Sequence, residues 1–304
     1  MRKIFLTLTL LALAVCAQAQ TAMPFLQEEL SPAAAGLAGV ASASSSQGMA
    51  FSVFGNPAAQ PFVDQKLDVT AAYRRVSSIN QITAAAGVKF GKFGLSAGFH
   101  TQLYPALSGA SEGGGTMAAF APTATLFGLG LSLGIGDHVG VGANVRYAIQ
   151  KLDKSTTLGA LNFDVMALFH LGGLNVTAGV VALGPAVKSV SNATYPLPAS
   201  ARLAVAYLQP LGALSLEGMG SFDYYFSGNV GAGVAAQLGW NDMVFGRVGF
   251  RYGSKKANFN AAPVPTHLSL GLGGKFLGIR VDVAYQLLFE SQGGILSAGL
   301  SYAF

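Results

Sequence analysis

The stretch Leu296-Ser297-Ala298-Gly299-Leu300-Ser301-Tyr302-Ala303-Phe304 decides the fold. Leu296, Ala298, Leu300, Tyr302 and Phe304 fall on one face, and Ser297, Gly299, Ser301 and Ala303 on the other. A period of two belongs to an extended strand, whose side chains alternate between two faces. One face is apolar and ends on an aromatic; the other is small and polar. Such a strand suits a wall with lipid on one side and a polar interior on the other, the closing strand of a membrane β-barrel.

The pattern recurs upstream. Ile279, Val281, Val283, Tyr285, Leu287 and Phe289 oppose Arg280, Asp282, Ala284, Gln286 and Glu290. Val139, Val141, Val145, Tyr147 and Ile149 oppose Gly140, Gly142, Asn144, Arg146 and Gln150. Fourteen stretches read as strands: 66–77, 80–90, 92–103, 119–135, 138–152, 155–170, 174–184, 198–209, 212–223, 228–239, 243–252, 266–276, 278–289 and 294–304. The expected fold class is all-β, a transmembrane antiparallel up-and-down β-barrel of about fourteen strands with an N-terminal hatch or plug segment. Tight connections at Gly91, Asp137, Gly172, Gly212, Asn241 and Gly278 all fall at one end of such a barrel. Long ones at 104–118, 185–197 and 253–265 fall at the other. Short periplasmic turns and longer outer loops are the rule for outer-membrane barrels.

Composition agrees. Charged residues make up 10% of the chain and hydrophobic ones 51%, against about 25% charged in soluble domains. No stretch after the first twenty residues has the roughly 20 apolar residues of a transmembrane helix. Lipid admits only structures that satisfy their backbone internally, which leaves a closed barrel. The 40 glycines lie largely inside strand-like runs, where small residues make room for packing in a narrow lumen. A net charge of +5, scattered along the chain, argues against a nucleic-acid partner.

The chain opens like a secretory signal. Arg2 and Lys3 precede an apolar run from Ile4 to Val15, and Ala17-Gln18-Ala19 is an A-x-A cleavage site. The expected division is therefore 1–19 signal peptide, 20–65 hatch segment and 66–304 barrel. Leu13-Ala14-Val15-Cys16 also resembles a lipidation box, with Val15 larger than usual there. Residues 20–65 are rich in Ala, Ser and Gly and carry a short helix signal at Pro32–Val40. Pro32 suits a first turn and Ser31 a cap. This segment is either a plug inside the lumen or a periplasmic linker.

Ala35-Gly36-Leu37-Ala38-Gly39-Val40-Ala41 followed by Asn56-Pro57-Ala58 resembles the N-terminal hatch of FadL-like outer-membrane proteins. Asn162-Phe163-Asp164-Val165-Met166-Ala167-Leu168, Ala182-Leu183-Gly184-Pro185 and Pro196-Leu197-Pro198-Ala199-Ser200-Ala201-Arg202-Leu203-Ala204-Val205-Ala206-Tyr207 follow in an order similar to the PorV/PorQ branch, found with the type IX secretion system of Bacteroidota. Departures are Ser44-Ser45-Ser46-Gln47, where an acidic residue is often found, and the shortness of the outer loops. The resemblance implies a non-enzymatic barrel in the outer membrane of a Gram-negative bacterium, serving protein secretion or surface attachment. Its partners would be outer-membrane lipid and other secretion or attachment proteins. The alternative is a FadL-like channel with a hydrophobic small molecule as ligand. No cofactor is implied.

Site residues follow from facing. Gly36, Gly39, Asn56, Pro57 and Ala58 form the hatch motif. Arg146, Asp164, Arg202, Glu217, Arg247, Arg251, Arg280, Asp282 and Glu290 fall on inward positions. Buried charges need partners, so they are expected to pair across the lumen and hold the hatch, or else to form a polar constriction for a solute. His100, His138, His170 and His267 have no metal-ligand spacing. Ser96 and His100 stand four strand positions apart, about 13 Å, too far for a nucleophile and its base. No catalytic or metal residue is expected. Tyr73, Tyr104, Tyr147, Tyr207, Tyr224, Tyr225, Tyr252 and Tyr302 sit near strand ends, where an interfacial girdle belongs.

Overall fold

A computed structural model describes residues 22–44, 47–106, 119–188, 194–254, 265–289 and 293–304. The signal peptide, Cys16 and Glu290 lie outside these residues.

Fourteen antiparallel strands close into one barrel. They are β1 (Leu67–Val76), β2 (Ile79–Phe90), β3 (Phe93–Leu103), β4 (Thr123–Ile135), β5 (Val139–Lys151), β6 (Thr157–Leu171), β7 (Leu174–Leu183), β10 (Ser200–Leu211), β11 (Leu214–Tyr225), β12 (Val230–Trp240), β13 (Val244–Gly253), β14 (His267–Phe276), β15 (Ile279–Leu288) and β16 (Gly294–Ala303). The strands expected from alternation are these, with ends displaced by a few residues. A two-stranded ribbon, β8 (Val187–Lys188) with β9 (Thr194–Tyr195), stands outside the barrel order. The ribbon lies within the long 185–197 connection, and two-residue strands carry no periodicity by which the sequence could announce them.

Each strand pairs with its sequence neighbour in the barrel, and β1 pairs with β16 to close it. Closure matters energetically: an open edge in lipid would leave a row of backbone groups unpaired. Alternation appears as exposure. On β15, Val281, Val283, Tyr285 and Leu287 are exposed and Asp282, Ala284 and Gln286 are buried. On β16, Leu300 is exposed while Ser301 points in and meets Thr70 of β1, Oγ to Oγ, at 2.9 Å. The outer face is thus a continuous apolar belt, as a lipid-facing surface requires.

The tight turns have the geometry their residues favour. Between β14 and β15, Leu277 and Gly278 have φ of 49° and 81°, the left-handed pair of a two-residue hairpin whose twist matches its strands. Leu277 accepts the strain of that conformation.

Two tyrosine expectations are corrected. Tyr225 is buried and inward, within 3.3 Å of the Arg251 guanidinium. Tyr104 donates to Gln102 at 2.8 Å, a residue fully buried on the inner face. The six others are exposed at the outer surface. Two adjacent tyrosines on one strand cannot face the same way, so Tyr224 and Tyr225 had to split.

Candidate functional site

The N-terminal segment is the first feature of the interior. It consists of short turns: 3-10 helices at Pro24–Gln27, Ala41–Ala43, Ala50–Val53 and Pro57–Phe62, and one α-helix, α1 (Pro32–Ala35). Ser31 caps α1, its Oγ accepting from Ala34 N at 3.4 Å. The helix is shorter than the Pro32–Val40 expected, because Ala38 and Gly39 turn left-handed at φ 55° and 71°. Leu37, Ala38, Val40 and Ala41 are nonetheless almost wholly buried. Their partners are the inward residues Ala204, Ala206 and Met219 of β10 and β11.

Glycines on the inner wall set how closely this segment packs. A Cβ at Gly36 would stand 2.9 Å from the Gly271 Cα of β14, so the two backbones touch. A Cβ at Gly299 of β16 would stand 2.9 Å from the Pro32 ring. Any side chain at Gly36 or Gly271 would push the segment off the wall.

Polar anchors fix it in register. Asn56 Oδ1 accepts from Ala58 N at 2.9 Å, closing the turn before Pro57. Its Nδ2 donates to Ser42 O at 2.7 Å and to Thr177 Oγ1 of β7 at 2.9 Å. One amide thereby joins two parts of the segment to the wall. Ala58 is buried against Met166 and Leu168 of β6. Gly39 lies beside the Glu29 side chain. Glu28 Oε2 accepts from Arg74 at 2.5 Å and from Gln81 and Gln102 at 2.9 Å each. Burial pushes the Glu29 carboxyl above the usual carboxylate range, opposed by the Ser31 backbone N–H and by Arg202, Arg74 and Arg251.

The inward charges form ion pairs along the wall, not across the lumen as expected. Arg146 of β5 meets Asp164 of the adjacent β6 at 2.5 Å. Asp223 of β11 takes Arg202 of β10 and Arg251 of β13, both at 2.5 Å. Asp282 of β15 takes Arg247 of β13 at 2.8 Å and Arg280 of its own strand at 2.7 Å. Glu217 is buried on β11 and acts electrostatically on Arg247. Residues one or two strands apart are closer than opposite walls of a fourteen-strand barrel, so wall pairing wins. Only part of the set touches the segment, Arg202 donating to Ser42 Oγ at 3.1 Å. Asp223, Arg74, Glu28 and Glu29 were missed. Asp223 is directly opposite Arg202 in the register, which strand pairing alone would have found.

The lumen is not uniform along its axis. At the long-loop end Met23, Phe25 and Leu26 pack with Leu126, Ala124, Ala148 and Ala160 of β4, β5 and β6, and with Val187 and Leu197. All are buried, and together they form a packed apolar cluster. Beside it the β6–β7 ladder slips between Phe163 and Val165. Ala182, at φ 56°, donates its backbone N–H to Asp164 Oδ1 at 2.8 Å there. At the tight-turn end a cavity of about 430 Å³ separates the segment from the wall of β11–β16 and β1, and its lining mixes charged and apolar side chains.

His100 sits inside the β3 wall with its Nδ1 2.9 Å from Thr83 Oγ1, and His138 with His170 lies at a tight turn. Among the described residues no group of three or more His, Cys, Asp or Glu is placed to hold a metal ion.

No protein-family model matches the sequence, and no curated protein does. Solved structures do match. The Pseudomonas putida toluene transporter TodX aligns over 94% of this chain and 99% of its own, with a TM-score of 0.61 at 12% identity. The barrel and its N-terminal segment share their fold with this transporter. The monoaromatic hydrocarbon channel CymD aligns over 87% of this chain and 97% of its own, with a TM-score of 0.58 at 12% identity. A Pseudomonas aeruginosa FadL homologue covers 95% of this chain and 100% of its own, with a TM-score of 0.54 at 13% identity.

Proposed function

We propose that this chain is an outer-membrane channel for hydrophobic small molecules, with residues 22–63 acting as its hatch. The observation that carries the reading is the apolar cluster that Met23, Phe25 and Leu26 make with the wall at the long-loop end of the lumen. An apolar solute arriving from outside would rest against Leu126, Leu197 and Val187, in place of the Met23, Phe25 and Leu26 side chains. Burying apolar surface there is favourable by roughly 25 cal/mol per Å². Straight passage would then bring it against buried ion pairs that offer it nothing. The slip in the β6–β7 ladder adjoins this cluster, and a sideways exit there would pass the Asp164–Arg146 pair to reach the lipid-facing belt. The likeness to hydrocarbon channels supports the reading at the level of fold.

The order of the FadL- and PorV/PorQ-like motifs favours a second reading, a component of type IX secretion or surface attachment. The two are separated by one pair of measurements. Toluene uptake by cells carrying the chain should exceed that of cells without it, and Leu126→Asp should abolish the excess. Unaltered uptake, together with secretion proteins copurifying from native membranes, would replace the first reading with the second.

A further inference from the structure

We propose that His100 makes the channel select aromatic solutes that carry a hydroxyl, phenols above hydrocarbons. The proposal rests on the reading of the chain as a channel for hydrophobic small molecules, and it names the class of solute. His100 is 0% exposed. Its Nδ1 lies 2.9 Å from Thr83 Oγ1, while its Nε2 is buried with no hydrogen-bond partner among the described residues. Such atoms are rare in folded proteins, because an unmet buried donor or acceptor costs free energy.

The strand register shows what surrounds it. Across the inner wall from β1 to β6, one row reads Ala72, Thr83, His100, Leu126, Ala148 and Ala160. Leu126, Ala148 and Ala160 belong to the cluster that Met23, Phe25 and Leu26 fill. Ala72 belongs to a second cluster, with Leu30 and Phe51. Phe54 packs against both. Its ring lies over Gly98, the inward residue of β3 before His100, where a Cβ would stand 2.5 Å from it. An unmet polar atom is thus set in a row flanked by two apolar clusters.

The neighbouring row is different. Gln81 and Gln102 both donate to Glu28, Arg74 donates to Gln81, and Tyr104 donates to Gln102. Those amides are occupied, so the spare hydrogen-bonding capacity belongs to His100. When a solute takes the place of Phe25 and its neighbours, a hydrocarbon leaves Nε2 unmet. A phenolic hydroxyl is donor and acceptor at once and satisfies either tautomer of the imidazole. An ionised acid would lose its hydration close to the Glu28 carboxylate, whereas a neutral hydroxyl brings no charge. In a wholly apolar site the hydroxyl would be a penalty; beside His100 its absence is the penalty.

The test is equilibrium binding of p-cresol and toluene, which differ by one hydroxyl, to the whole protein in nanodiscs, with protein-free nanodiscs subtracted. At equal free concentration p-cresol should bind at least about tenfold more tightly than toluene. His100→Phe, apolar and similar in size, should bring that ratio to one or below by weakening p-cresol. Should His100→Phe fail to fold, the smaller His100→Leu takes its place with the same expected ratio. Equal binding of the two compounds by the unaltered protein, or a p-cresol preference that survives the substitution, overturns the role of His100 and leaves the hydrophobic-channel reading standing. If neither compound binds, that reading falls and this proposal with it.

Discussion

The backbone N–H of Ala182 is held by Asp164 Oδ1 at 2.8 Å, at the point where the β6–β7 ladder slips. The same oxygen takes Arg146 at 2.5 Å, and Asp164 Oδ2 takes Asn144 at 3.2 Å. One fully buried carboxylate thus fixes both a left-handed alanine and a buried arginine.

Replacing Asp164 by Asn leaves the Arg146 charge buried without its counter-ion. Breaking such a pair costs about 3–5 kcal/mol. Asp164→Asn should lower folded yield and the temperature at which heat-modified gel mobility is lost. The double variant Arg146→Met with Asp164→Leu should recover much of the loss, since no charge is then stranded. Equal instability of single and double variants would show that Asp164 acts on Ala182 alone.

Facing is tested on β16. Leu300 is 56% exposed on the lipid side, while Ser301 points inward beside the tight-turn cavity. Arg on the lipid face costs roughly 2–4 kcal/mol near mid-membrane. Leu300→Arg should impair assembly far more than Ser301→Arg, read as the fraction of heat-modifiable protein recovered after refolding into vesicles.

Contact between Gly36 and Gly271 is tested by adding a side chain. Gly271→Val places branched carbon where the Gly36 backbone stands. Overpacking of this kind costs about 1–3 kcal/mol. The variant should keep its barrel but expose residues 22–63 to protease, and conductance across planar bilayers should rise. Deleting residues 22–60 should raise conductance further, because all barrel strands begin at Leu67 or later. Unchanged conductance in a well-folded deletion would mean that the segment does not obstruct the lumen.

Glu29 predicts a pH effect. Its carboxyl titrates above the ordinary value because burial disfavours the charged form. The folded state therefore holds this proton more tightly than the unfolded chain. That contribution to stability is complete below the unfolded value and is lost as pH rises through the folded one. Glu29→Gln should narrow the difference in unfolding temperature between acidic and mildly alkaline buffer. An unaltered difference would assign the pH dependence to other groups.

Barrel class, strand count and facing were legible because each strand is a local record: a period of two, bounded by turn residues, with lipid selecting one face. The turn at Asn56 was legible because Asn before Pro has a local meaning. Pairing of charges was not. Arg251 and Asp223 lie on strands separated by β12, and nothing in either local sequence says which inward charge its neighbour carries. Glu28 was missed for a related reason. Its three partners come from β1, β2 and β3, so its site exists only once those strands lie side by side. Placement of Met23, Phe25 and Leu26 escaped the same way, since three apolar residues in a small-residue segment have no periodicity to read.

The β1–β16 seam joins Thr70 to Leu300, 230 residues later, by a hydrogen bond of 3.3 Å. Contacts so distant in sequence form late, after intervening segments have ordered. The segment that fills the interior, however, precedes every strand. Assembly must therefore wrap a wall around a chain end synthesised first, and the final zipping of β16 onto β1 seals it inside. A substitution that slows this last pairing should prolong a state in which the segment is already bound on one side and open to the periplasm on the other.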